Sequence, residues 1–169
     1  MMKKLSTVII IFSFVLFFTG CDPHQFRYNR QQLEENTVKI TLIAYDNPSA
    51  HAIDDTLAQA KHRDFDFTNA QFQKTLRPEK YQEFFTLLVQ ADIYDFSKHK
   101  DSPDGQCLLI TYENGDFDVV ARQYIGRYNA DGKFLTYFGI FDSSLYENRF
   151  QQIIDDSDGS YFETDSTMT

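Results

Sequence analysis

The sequence predicts an α+β domain: an antiparallel sheet, built from a meander of three or four strands plus strands nearer the N-terminus, with two or three helices packed on one face. Three observations carry this. Between Cys107 and Phe141, short runs rich in β-branched and aromatic residues are separated by the turn signals Asn114-Gly115 and Asn129-Ala130-Asp131-Gly132. Ahead of them Tyr81, Phe84, Phe85, Leu88 and Val89 recur at helical spacing. Behind them Tyr146, Phe150, Ile153 and Ile154 form a second such stripe.

Taken in order, the polar segment at residues 21–36 reads as a spacer, with Gln31, Gln32, Glu34 and Glu35 and few apolar side chains. The domain proper is expected over 37–154. Val38, Ile40, Leu42 and Ala44 alternate with Lys39 and Thr41, the period of a strand, and Asp46-Asn47-Pro48 ends it. Ala50, Ile53, Leu57 and Ala60 fall on one helical stripe. Phe65 and Phe67 alternate with Asp64 and Asp66, which predicts a short strand with its acids outward. Pro78 suits the first turn of the following helix, because its missing N–H has no helical partner to lose. Strands at Gln106–Glu113 and Asp116–Arg122 form one hairpin, and strands at Tyr124–Tyr128 and Lys133–Phe138 a second. The last helix begins near Ser144, which makes a capping-box pattern with Glu147. Residues 155–169 are polar and acidic and read as a frayed tail.

The N-terminus has a different logic. Lys3 and Lys4 precede an uncharged run from Leu5 to Phe18, the layout of a secretory signal peptide over residues 1–20. The run is shorter than the roughly 20 residues needed to span a bilayer. It ends in Phe18-Thr19-Gly20-Cys21. This segment resembles the lipobox of bacterial lipoprotein precursors, in which a small residue precedes an invariant cysteine. Gly20 and Cys21 match, whereas Phe18 and Thr19 stand where Leu and Ala or Ser are usual. The resemblance implies a diacylglycerol thioether on Cys21, cleavage before it and, often, acylation of the new amino terminus, so that palmitate is expected to label the protein. It implies an exported protein, held on a membrane of the cell envelope and facing away from the cytoplasm. Two or more acyl chains anchor a protein stably. In enteric Gram-negative lipoproteins an aspartate at the place of Asp22 resembles an inner-membrane retention signal.

Loss of residues 1–20 removes Lys3 and Lys4, leaving 14 basic and 25 acidic side chains and a formal charge of −11. That acidity argues against nucleic acid and anionic lipid surfaces as partners, since both require local positive charge. With Cys21 acylated, Cys107 is the only thiol and no intrachain disulfide is expected. Packing must then come from the 17 Phe and 10 Tyr.

The usual chemical signatures are missing. His24, His51, His62 and His99 have no paired metal-ligand spacing. An EF-hand register with Gly159 sixth puts Ile154 first and Asp165 twelfth, and the register through Gly132 puts Arg127 first and Phe138 last. Neither supplies the required acids, so no metal and no cofactor is expected. GxSxG, GxGxxG and GxxxxGK[ST] are absent. Cys107, in Gln106-Cys107-Leu108-Leu109-Ile110, reads as part of a buried strand. Asp64 with Asp66, and Asp116 with Asp118, could each share a strand face, though solvated acids suit the pattern better. Tyr112, Tyr124, Tyr128, Phe134, Tyr137, Phe138 and Phe141 exceed the obvious needs of a small sheet and could form a binding patch.

These readings favour a non-catalytic module that binds another protein, as an inhibitor, immunity factor or assembly accessory. One alternative is a small envelope hydrolase using Cys107 or a carboxylate pair. Another is solute capture, for which 149 residues leave little room for two lobes.

Overall fold

A computed structural model describes residues 25–46, 64–95 and 103–163. It contains β1 (Gln25–Phe26), α1 (Arg30–Asn36), β2 (Thr37–Tyr45), β3 (Ala70–Leu76), α2 (Tyr81–Gln90), β4 (Ile93–Tyr94), β5 (Gly105–Tyr112), β6 (Phe117–Ala121), β7 (Tyr124–Tyr128), β8 (Phe134–Phe141), α3 (Ser144–Asp155) and β9 (Phe162–Glu163). The strands form one antiparallel sheet in the order β1-β4-β8-β7-β6-β5-β2-β3-β9. This is the α+β fold that the sequence predicts, with the meander β5 to β8 at its centre.

Both faces of the sheet are covered. On the helical side Ile40, Leu42, Leu108, Ile110, Val120 and Ile125 pack with Phe84, Phe85 and Leu88 of α2 and with Phe150, Ile153 and Ile154 of α3. On the other side Ile43, Tyr45, Cys107, Leu109, Phe117, Val119, Tyr124 and Tyr128 form a second core with Phe65. Central strands thus bury both side-chain sets, and every residue of β6 is buried. Continuous apolar runs such as Cys107 to Ile110 follow from this two-sided burial. The alternation expected in the first strand holds only in part, because Ile43 and Tyr45 are as buried as Ile40 and Leu42, while Val38 is exposed.

Several expected boundaries move. Residues 25–36 are not a spacer: Asn29 caps α1, its side chain accepting from the Gln32 N–H at 3.0 Å, and Tyr28 and Leu33 are buried. Asp64 to Asn69 is not a strand either. Asp66 accepts from the Thr68 N–H at 2.9 Å and closes a 3-10 turn over Phe67–Asn69. The strand lies just beyond, at Ala70–Leu76. Ser143 rather than Ser144 stands at the N-cap of α3, without a side-chain cap, and Glu147 faces Arg122 at 3.5 Å. The first part of the expected tail, through Glu163, is structured. Asp156, in the left-handed region at φ 39°, accepts from the Tyr161 and Phe162 N–H groups, and β9 pairs with β3 at Thr75 and Leu76. The helical stripe at 50–60 lies outside the described residues.

The two hairpin turns share one geometry. The Gly115 N–H bonds Tyr112 O and the Gly132 N–H bonds Asn129 O, both at 2.9 Å, and only the glycines have positive φ, 87° and 79°. These are three-residue loops closed by a left-handed glycine, not a two-residue loop. At Gly132 a Cβ would also collide with the carbonyl oxygen of Phe65, whose N–H bonds Gly132 O at 2.7 Å.

Candidate functional site

Asp118 of β6 and Arg127 of β7 are directly opposed across the β6–β7 ladder. Each is two residues from a helical-face core residue, Val120 and Ile125 respectively, so strand periodicity turns both toward the helices. Asp118 is fully buried. An isolated carboxylate there would carry a heavy desolvation cost, and four donors offset it. Arg127 Nε donates to Oδ1 at 2.6 Å, while Oδ2 accepts from Arg127 Nη2 at 2.9 Å, Tyr112 OH at 2.6 Å and Tyr28 OH at 3.1 Å. The Arg127 guanidinium also lies over the rings of Tyr112 and Phe138, 4.9 and 5.3 Å from their centroids.

Titration follows this arrangement. Burial, and then the Asp118 charge, push the Tyr28 and Tyr112 hydroxyls well above the ordinary tyrosine range, so both remain donors. The hydrogen bond to Asp118 raises Arg127 further.

Tyr28 comes from the N-terminal segment, whose Phe26 stacks on Phe138 with centroids 3.9 Å apart. Between this segment and the β5–β6 turn lies a cleft of about 440 Å³, its walls including Phe26, Tyr28, Asn36, Glu113, Asp116 and Arg127. Asp118 is fully buried, with both carboxylate oxygens accepting hydrogen bonds, and is poorly placed for base chemistry. Arg127 lines the cleft, and the bonds it makes to Asp118 and Tyr112 use Nε and Nη2.

The residues singled out by sequence are scattered. Cys107 is buried in the second core, where desolvation pushes its thiol up to about 12, a poor setting for a nucleophile at neutral pH. Asp64 bonds Lys133 at 2.6 Å, and Asp66 is spent on its own turn, so they form no working pair. Asp116 lies in the turn, bonded to the Asn114 amide, and is separate from Asp118. The expectation that Asp118 is solvated is overturned. Of the seven meander aromatics, Tyr124, Tyr128 and Phe141 are buried and the other four half-buried, divided between the two cores, so they make no surface patch. Cys21, His24, His51, His62 and His99 lie outside the described residues. Among the described residues no three acidic, histidine or cysteine side chains are grouped to hold a metal. None of the described helices is long and apolar enough to cross a membrane.

Tyr28 and Arg127 are the network members that pattern reading misses. A signal existed: Asp118 and Arg127 are equidistant from the Arg122-Gln123 turn, so a tight hairpin must pair them.

No family model matches the chain, and neither a curated protein nor a solved structure matches it.

Proposed function

We propose that the protein is an exported lipoprotein, attached to an envelope membrane through Cys21, whose domain binds another protein without catalysing a reaction. The observation that carries the binding reading is the outer side of β3. Among the described residues it is paired only at Thr75 and Leu76, where β9 docks. Residues 70–74 thus offer strand hydrogen bonds outward. Phe72, opposite Ile43 in the ladder, is half exposed at 51%. An edge with one large apolar side chain suits strand addition, in which main-chain bonds give affinity and the side chain gives register.

Support for a non-catalytic role comes from how the candidate groups are used. The Cys107 thiol is enclosed, and the Asp118 carboxylate is bonded to Arg127, Tyr28 and Tyr112. Support for the anchor comes from the lipobox resemblance at Phe18-Thr19-Gly20-Cys21.

Two measurements test the two halves. Radiolabelled palmitate is expected in the wild-type protein and not in Cys21→Ala, and label in that variant would remove the anchor. Crosslinking in intact envelopes from a photoreactive residue at Gln71 is expected to give a discrete adduct that Phe72→Asp abolishes. An adduct unaffected by Phe72→Asp would remove β3 as the docking edge.

A further inference from the structure

Independently of the anchor and of the β3 edge, we infer that Asn114 in the β5–β6 turn is a site of spontaneous covalent modification, deamidation through the Gly115 nitrogen, at a rate that the Asp116 side chain restrains. The Gly115 nitrogen gives its proton to solvent base and bonds to Asn114 Cγ. The Cγ–Nδ2 bond breaks, and ammonia leaves with a proton taken back from water. Water then opens the cyclic imide. Attack at the former side-chain carbonyl gives aspartate, and attack at the main-chain carbonyl gives isoaspartate. Either way an amide becomes a carboxylate, with water as the only co-reactant.

The turn supplies both the opportunity and the restraint. Nucleophile and target are neighbours in one chain, so the step is intramolecular. No other asparagine in the sequence is followed by glycine. Gly115 has no Cβ to crowd the approach of its nitrogen, and Asn114 is exposed, so water reaches the amide and ammonia can depart. Against this stand three hydrogen bonds. The Gly115 N–H donates to Tyr112 O at 2.9 Å, which keeps the attacking nitrogen protonated. Asn114 Oδ1 accepts from the Asp116 N–H at 3.0 Å, and Asn114 Nδ2 donates to Asp116 Oδ2 at 2.9 Å, which together fix the amide. The twin turn provides an internal comparison. Asn129 is followed by Ala130, and its Oδ1 accepts from the N–H groups of both Asp131 and Lys133.

The product would not be confined to the surface. Isoaspartate routes the main chain through the side-chain carbon and lengthens a loop that is closed by Gly115 N–H to Tyr112 O and by Tyr112 N–H to Asp116 O. The Tyr112 hydroxyl is also a donor to the buried Asp118. Deamidation at 114 therefore loosens the residue that helps to satisfy the buried pair, and adds a negative charge beside Glu113 and Asp116 on the cleft wall.

The test incubates the full-length protein at mildly alkaline pH and follows the peptides around Asn114 and Asn129 by mass spectrometry, with aspartate and isoaspartate forms separated by chromatography. In the folded wild type, conversion is expected at Asn114, to both products, and not at Asn129. Asp116→Ala removes one of the two bonds on the amide and leaves the main-chain N–H at 116 in place, so conversion should run about three- to fivefold faster. Asp116→Asn keeps an acceptor oxygen and should stay within about twofold of the wild type. Refractory Cys107, read as its failure to take up iodoacetamide, shows that a variant is still folded. Should Asp116→Ala fail that check, the wild type in urea serves instead, and should convert at least about tenfold faster than the folded protein because all three bonds are lost. Conversion at Asn129 as fast as at Asn114, or no conversion of Asn114 even in urea, would overturn the site. An unchanged rate in folded Asp116→Ala, equal acceleration by Asp116→Asn, or equal rates in urea and in buffer would overturn the restraint.

Discussion

Removing Arg127 alone should destabilise the domain strongly, and removing Asp118 with it should cost less than the two separate losses added together. In Arg127→Met the Asp118 carboxylate stays fully buried and retains only the two tyrosine donors. Breaking a fully buried pair costs about 3 to 5 kcal/mol. The Arg127 side chain is 35% exposed, so water can reach part of the vacated space and the figure falls to about 2 to 4 kcal/mol. With a urea slope of about 2 kcal/mol/M, the unfolding midpoint should drop by roughly 1 to 2 M. The double variant Asp118→Leu, Arg127→Met no longer buries a charge, and its loss should be smaller than the sum of the single losses by about 2 kcal/mol. Equilibrium urea unfolding followed by tyrosine fluorescence measures all three. A midpoint shift below about 0.3 M for Arg127→Met, or additivity within about 0.5 kcal/mol, would refute the reasoning.

Tyr28→Phe should cost about 1 kcal/mol in urea unfolding, and faster amide exchange should appear in 25–36 before β6 or β7, because Tyr28 fastens that segment to the sheet. Gly132→Ala should lose more than the roughly 1 kcal/mol typical of a left-handed glycine, since its Cβ meets the Phe65 carbonyl, whereas Gly105→Ala meets nothing within 4 Å. Iodoacetamide should modify Cys107 only after unfolding. Its thiol is raised by burial, so that contribution to stability is complete below the ordinary cysteine range and is lost as pH climbs toward about 12. Asp64 behaves oppositely. The Lys133 ammonium and the Phe134 N–H hold its carboxyl below the usual range, so any stability it adds is present above that range and disappears as pH falls through the depressed value. Asp64→Asn should therefore change the unfolding midpoint at neutral pH and not in strong acid.

The central sheet was legible because its signals are local. Turn glycines at 115 and 132 and apolar strands between them fix the register of β5 to β8 without help from the rest of the chain. The helix over Tyr81–Gln90 was legible for the same reason, with Phe84, Phe85 and Leu88 on one buried stripe. The edges were not. In the β3 sequence Ala-Gln-Phe-Gln-Lys-Thr-Leu, the alternation of Ala70, Phe72 and Leu76 is short and broken by Lys74, and it follows a turn whose Phe65 and Phe67 carry the same period; pairing with β2 decides where the strand lies. Tyr28 and Leu33 are isolated among polar residues, and a single buried anchor per turn leaves no periodicity to read. Asp118 misled for a related reason. An acid between Phe117 and Val119 looks like the outward side of a half-exposed strand until the second face is seen to be covered by helices.

The fastening of the N-terminal segment gains its meaning from the proposed attachment at Cys21. Any force on the proposed lipid would enter the fold at β1, which among the described residues is paired with β4 at two positions, Gln25 with Tyr94 and Phe26 with Ile93. Two ladder positions would fray easily, and an untied terminus of this length would be a flexible leash. The load is instead taken by side chains that reach the middle of the sheet: Phe26 stacked on Phe138, Tyr28 bonded to Asp118, and Leu33 in the helical-face core. Asp118 is in turn held by Arg127 from the neighbouring strand. The buried pair thus ties the anchored end to β6 and β7, the most enclosed part of the domain. Under the proposed anchor, pull on Cys21 would therefore be passed to the buried centre of the sheet rather than to the two-residue β1 ladder alone.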